Sequence, residues 1–159
     1  EKGESALAEG ISVPRHTVLR GQMAKGDQTA CEYRTAHELK LWPIEVVEAD
    51  YSTSTRDVAS PEGPPTPSCR AVIRIRLRTT GGIPFSDVQL DRLPLWLNGP
   101  GELPHHIYEQ LLADGLGIVV RPVTRPAPWH EFSGSEDRRG LGFVDDEALL
   151  PYDLRSFQG

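Results

Sequence analysis

The chain has 159 residues, in which 14 arginines and 3 lysines stand against 23 carboxylates, for a net charge of −6. That length suits one ordinary domain with a core of its own, and the acidic balance argues against the broad basic face that nucleic-acid binding requires. Fifteen glycines and fourteen prolines argue against a helical bundle, and the longest apolar run, interrupted at Gly117, is far too short to cross a bilayer.

Residues 1–10 are polar and glycine-bounded and read as a frayed start, with no apolar stretch behind them that would make a signal peptide. Residues 11–20 read as extended chain with a turn at Pro14-Arg15-His16, Pro14 holding Val13 in the extended region. Cys31, Tyr33 and Thr35 share one face of a predicted strand. Leu39 and Leu41 alternate with charged neighbours, Pro43 breaks that segment, and residues 44–51 resume as a strand. Residues 52–68 hold Ser-Thr-Ser-Thr and then prolines at 61, 64, 65 and 67, the composition of a long loop. The clearest alternation follows: Cys69, Ala71, Ile73, Ile75 and Leu77 face one way, and Arg70, Arg74, Arg76 and Arg78 face the other. Gly81-Gly82 ends that strand. Residues 88–90 and 92–97 read as further strands, the second closed by a tight turn at Asn98-Gly99. Residues 103–113 predict the one convincing helix. Pro104 sits in its first turn, Ile107 and Leu111 and then Tyr108 and Leu112 recur at four-residue spacing, and Gly115 or Gly117 stops it. Strands are expected again at 118–123 and 129–132. The pattern predicts a mainly β, α+β fold of antiparallel, sandwich-like sheets, with one amphipathic helix inserted near residues 103–114.

No set of residues assembles into a catalytic centre. His105 and Glu109 lie four apart on the predicted helix, a spacing that suits zinc, but Gln110 stands where a metalloprotease helix would need histidine, and the segment reads as a solvated helix start. Asp145-Asp146-Glu147 lacks the loop of a cation site and reads as the acidic start of a short helical turn over residues 147–150. Ser133-Gly134-Ser135 is not a nucleophile elbow. Cys31 and Cys69 permit one disulfide by parity but read as two reduced thiols inside strands. The arginines at 70, 74, 76 and 78 leave two readings: a solvated face paired with carboxylates, or a docking face for an acidic protein partner. Neither a metal nor a cofactor is implied.

The C-terminal stretch carries a resemblance. Gly142-Phe143, an acidic patch at 145–147, Glu147-Ala148-Leu149-Leu150-Pro151-Tyr152 and Arg155-Ser156-Phe157-Gln158-Gly159 follow one another in the order found in the TssF family of type VI secretion baseplate subunits. Val13-Pro14-Arg15 with Thr17 is similar to that family's Val-Pro-Arg-Gly-Thr segment, with His16 in the glycine's place. The block from Cys31 to Trp42-Pro43 and the strand ending Leu97-Asn98-Gly99 also match. The likeness covers residues 11–159 and has no pattern to match around 61–67.

The resemblance implies an internal β-rich domain of a longer chain, which agrees with a sequence whose lone methionine is Met23. It also implies a structural protein without enzymatic activity or cofactor. Its partners would be TssG above all, with TssE, TssK and the VgrG spike. It would be cytoplasmic, at a baseplate docked on the inner-membrane complex, without membrane insertion or nucleic acid. Arg74, Arg76, Arg78, Arg155 and Phe157 are the candidate interaction surface. Glu147, Leu149, Leu150, Pro151 and Tyr152 form a family signature whose expected role is structural, with Leu149 and Leu150 buried against the strands. The alternative is a β-sandwich module for a small ligand or glycan. Trp42, Trp96 and Trp129 would be its stacking platforms, although Trp42 and Trp96, set among leucines, read as core.

Overall fold

The computed structural model describes residues 7–23, 25–26, 28–54 and 69–149. The predicted frayed start before residue 7, residues 55–68 of the long loop and everything from residue 150 lie outside the described residues. The fold is α+β and mainly β. Its strands in chain order are β1 (Ile11–Val13), β2 (Val18–Arg20), β3 (Glu32–Arg34), β4 (Leu39–Leu41), β5 (Ile44–Ser52), β6 (Val72–Thr79), β7 (Ile118–Val120) and β8 (Glu131–Ser133). They pair two by two: β1 with β4, β2 with β3, β5 with β6 and β7 with β8. The helix α1 (Leu103–Glu109) continues into a π turn over Gln110–Asp114, close to the predicted span.

The chain divides into two units. The first comprises Glu1–Ile44, Thr79–Asp91 and Leu141–Gly159. Its β1 and β4 are antiparallel, with Ile11 opposite Leu41 and Val13 opposite Leu39, so one face of the ribbon is apolar. The ladder of β2 and β3 sets Leu19 against Tyr33 and Arg20 against Glu32. It is extended at both ends, by Gly21 N–H donating to the Cys31 carbonyl at 2.8 Å and by His16 N–H donating to the Thr35 carbonyl at 2.8 Å. Thr35 closes the Pro14–Thr17 turn. Its hydroxyl donates to the Pro14 carbonyl at 2.7 Å and accepts from Thr17 N–H at 2.9 Å, while its own N–H donates to the Thr17 carbonyl at 3.1 Å. A hydroxyl satisfied as both donor and acceptor tolerates burial, and Thr35 is 7% exposed. His16, in the same turn, has φ +67. With Ile83 and Pro43, Thr35 completes the set of buried side chains among the described residues, and all three belong to this unit. Trp42 is half-buried, with the Lys40 ammonium 4.5 Å from its ring centroid.

The second unit comprises Glu45–Arg78 and Arg92–Gly140. Pro104 occupies the first turn of α1, where a missing N–H costs nothing. The helix ends without a left-handed residue, since Gly115 has φ −68 and ψ 125. Arg138 closes it instead: its guanidinium donates to the Leu111 carbonyl and, at 2.5 Å, to the Gly115 carbonyl. Both glycines after the helix are required by close approach. A Cβ on Gly115 would collide with the Arg138 guanidinium, and one on Gly117 would fall 2.5 Å from the Phe132 ring. The β7–β8 ladder that follows places Val119 opposite Phe132.

Several predicted elements differ. Residues 88–90 form no strand, because Gln89 N–H donates to the Ala8 carbonyl and Leu90 N–H turns back to the Val88 carbonyl at 2.9 Å. Residues 92–97 form none either, since a strand exists only through a hydrogen-bonded neighbour and this run has none among the described residues. The turn predicted at Asn98-Gly99 falls at residues 100–102, with Gly101 at φ +55 and Leu103 N–H donating to the Pro100 carbonyl. Cys31 and Cys69 are free thiols, but each precedes its strand rather than packing inside it, and Cys31 is exposed. Trp96, expected in the core, is 90% exposed.

Two substitutions at the Pro14–Thr17 turn should act in opposite directions. Thr35→Val keeps the shape and removes the hydroxyl, which should cost about 1–3 kcal/mol. His16→Gly removes a left-handed penalty of about 1–2 kcal/mol, offset in part by the glycine's greater freedom when unfolded. Amide exchange at Thr17 and Gly21 should quicken in the first variant and slow in the second.

Candidate functional site

The arginine strand β6 lies beside β5, and their ion pairs run in opposite order along the two strands. Arg76 Nη1 is 3.9 Å from Glu48 Oε2, and Arg78 Nε is 2.5 Å from Glu45 Oε1. Four of the five predicted apolar-face residues, Cys69, Ala71, Ile73 and Leu77, are half-buried and Ile75 is exposed, so neither face of this two-stranded ribbon is sealed from water. Arg74 is half-buried and also engaged. Arg76 and Arg78 therefore sit among carboxylates of the neighbouring strand, on side chains that solvent reaches. Each such pair contributes about 0–1 kcal/mol.

The C-terminal block begins with a closed loop in the first unit. Gly142, at φ +95, donates its N–H to Glu147 Oε2 at 2.6 Å, and a single helical turn at Asp145–Glu147 completes the loop. Arg15 reaches it from the Val13-Pro14-Arg15 segment and donates to the Ala148 carbonyl at 3.4 Å. Two of the sequence blocks that carry the resemblance thus touch, through the Arg15 side chain and the Ala148 main-chain carbonyl. The helical turn expected over 147–150 instead ends at Glu147, because Ala148 is extended at φ −62 and ψ 134. That change of direction carries Leu149 outward, and the side chain expected to be buried is 71% exposed. Phe143 and Val144 are exposed as well, at 76% and 50%. Leu150, Pro151, Tyr152, Arg155 and Phe157 lie outside the described residues.

Around α1, Glu102, His105, His106 and Glu109 line a shallow open depression. His106 Nε2 is 3.8 Å from Glu102 Oε2. No group of three or more potential ligands placed to hold a metal ion occurs among the described residues. Ser133 donates its hydroxyl to Asp137, and no histidine completes a nucleophilic arrangement there. Arg138 is the residue that sequence reasoning missed. An arginine 27 positions after Leu111 leaves no local signal, and only the fold brings it to the helix end.

The TssF model of the type VI secretion system matches residues 1–159. The chain belongs to the TssF family. It is 45% identical over all 159 residues to the type VI secretion system component TssF1 of Pseudomonas aeruginosa, and it spans about a quarter of that relative's length, 25%. No solved structure matches it. This is therefore part of a type VI secretion system component. No helix among its described residues is long and apolar enough to cross a membrane.

The two kinds of arginine in this part of TssF should respond differently to substitution. Arg76→Ser and Arg78→Ser together should lower the unfolding free energy by no more than about 2 kcal/mol, at most about 1 for each solvated pair. Arg138→Ala strips the helix end of two charge-assisted bonds and should cost about 1–3 kcal/mol. The loss should be visible as faster amide exchange across residues 110–116.

Proposed function

We propose that this part of TssF acts by assembly, without chemistry of its own, in a baseplate wedge of the type VI secretion system. TssG is its principal partner there, and TssE, TssK and the VgrG spike lie in the same structure. Identity of 45% over every residue of the chain, to a component of that system, is the observation that carries this reading. The exposed apolar inventory supports it. Among the described residues, 26 large apolar side chains are more than a third exposed, and Ile83 is buried. Exposed apolar surface of that extent is a common mark of contact with other protein.

Within this reading, Arg74, Arg76, Arg78, Arg155 and Phe157 face partners, while Glu147, Leu149, Leu150, Pro151 and Tyr152 shape the segment that presents them. The site of action is the cytoplasmic baseplate on the inner-membrane complex, and no cofactor takes part.

The test uses the full-length parent carrying an affinity tag. Wild-type protein should retain TssG through washing, and a strain lacking it should lose contractile secretion. Phe157→Ala should weaken TssG retention by roughly tenfold, the consequence of about 1.4 kcal/mol, while its circular dichroism stays unchanged. Failure of the wild-type protein to retain any baseplate subunit would overturn the wedge assignment. Full retention by both Phe157→Ala and an Arg74, Arg76, Arg78 triple serine variant would leave the wedge standing and the interaction surface misplaced.

A further inference from the structure

Residues 92–99 run without a turn or a bend, yet none of their backbone groups hydrogen-bonds to any other described residue. Leu93 and Leu97 are half-buried, whereas Leu95 is 48% and Trp96 90% exposed. The sequence of this run, Arg-Leu-Pro-Leu-Trp-Leu, has the alternation of a strand, with its leucines on one face. It combines the side-chain alternation of a β-strand with the lack of any turn or bend, and among the described residues it has no hydrogen-bonded neighbour.

Its two edges are not equivalent. In a strand, the N–H and C=O of one residue point to the same side, and successive residues alternate sides. Leu93, Leu95 and Leu97 therefore present a complete row of donors and acceptors along one edge. Pro94 has no N–H, so the edge that it shares with Arg92 and Trp96 is broken. A partner strand gains most from the leucine edge.

We infer that residues 92–97 are a strand acceptor, paired along the leucine edge by an extended segment of the same TssF polypeptide lying outside these 159 residues. The P. aeruginosa relative has about three quarters of its length beyond the matched region, since the match spans 25% of it. A segment on the same chain acts at an effective concentration on the order of millimolar, which a separate subunit has to overcome by affinity. The added strand gives the leucine-edge amides their partners and places cross-strand side chains beside Leu95 and Trp96. This inference stands apart from the wedge assignment, since it concerns how the TssF chain completes its own sheet.

Hydrogen exchange resolved to single amides, on purified full-length protein without other subunits, tests it. The amides of Leu93, Leu95 and Leu97 should exchange at least about 100-fold more slowly than unprotected chain, and Trp96 should remain fast. In the 159-residue chain alone, all four should be fast. Leu95→Pro in the full-length protein should abolish the slowing at Leu93 and Leu97, whereas Trp96→Pro, on the edge already broken, should leave it. Fast leucine amides in the full-length protein would overturn the proposal, as would slowing that appears only after other secretion subunits are added. Equal protection of Trp96, or equal effects of the two proline variants, would overturn the assignment of the edge.

Discussion

A two-stranded β-ribbon gives each strand one hydrogen-bonded neighbour and cannot bury either of its own faces. Every sheet among the described residues is of this kind, and the exposed apolar side chains follow from it. Ile11, Leu39 and Leu41 stand on the first ribbon, Leu19 and Tyr33 on the second, Val46, Val47 and Tyr51 on the third, and Ile118, Val120 and Phe132 on the last. Covering one leucine fully stabilises by roughly 1.5–3 kcal/mol. A handful of these side chains thus represents as much free energy as the whole net stability of an ordinary domain, about 5–15 kcal/mol. The entropy of ordering whatever covers them reduces that gain. The physical consequence is that whatever covers this apolar surface contributes to the stability of the fold as well.

Where apolar burial is sparse, specific polar contacts fix the geometry. Thr35 ties the Pro14–Thr17 turn with two side-chain and two main-chain hydrogen bonds. Arg138 does the same for the helix end, with donors to two carbonyls that an α-helix leaves unsatisfied. Both residues act between segments distant in sequence, so each fixes a long-range relation within its own unit. The surface ion pairs of β5 and β6 are different in kind. Their partners are solvated, and they set charge register more than stability.

This difference between local and long-range determinants explains what was legible in the sequence. The helix at 103–114 could be read because Pro104 and the four-residue spacing of its apolar side chains are local signals. The strand at 72–79 could be read because strict alternation is local too. The turn at Pro14-Arg15-His16 and the break at Pro43 likewise need only their own residues. A strand at 92–97 could not be decided, since its alternation says nothing about whether a neighbour is present. Burial of Leu149 failed for a related reason: apolar density predicts that a side chain gains from cover, not that the cover is there. Arg138 was invisible because its partners are 23 and 27 residues away. As for the candidate site, the Arg76 and Arg78 pairs agree with a face paired to carboxylates, one of the two readings open from the sequence. Arg155 and Phe157 lie outside the described residues.

His16 joins these threads. The family segment that it resembles has glycine at this position, and the turn holds His16 at φ +67, a conformation glycine reaches without steric cost. A histidine there carries a penalty of about 1–2 kcal/mol, which the surrounding bonds must offset. Its own N–H is bonded to Thr35, and the adjacent Thr17 is held through its N–H and its hydroxyl. The turn also carries Arg15, whose guanidinium meets the C-terminal block at Ala148. A strained residue therefore sits between the buried threonine that fixes the turn and the arginine that reaches that block. The departure from glycine is tolerated because Thr35 determines the backbone path more strongly than residue 16 opposes it.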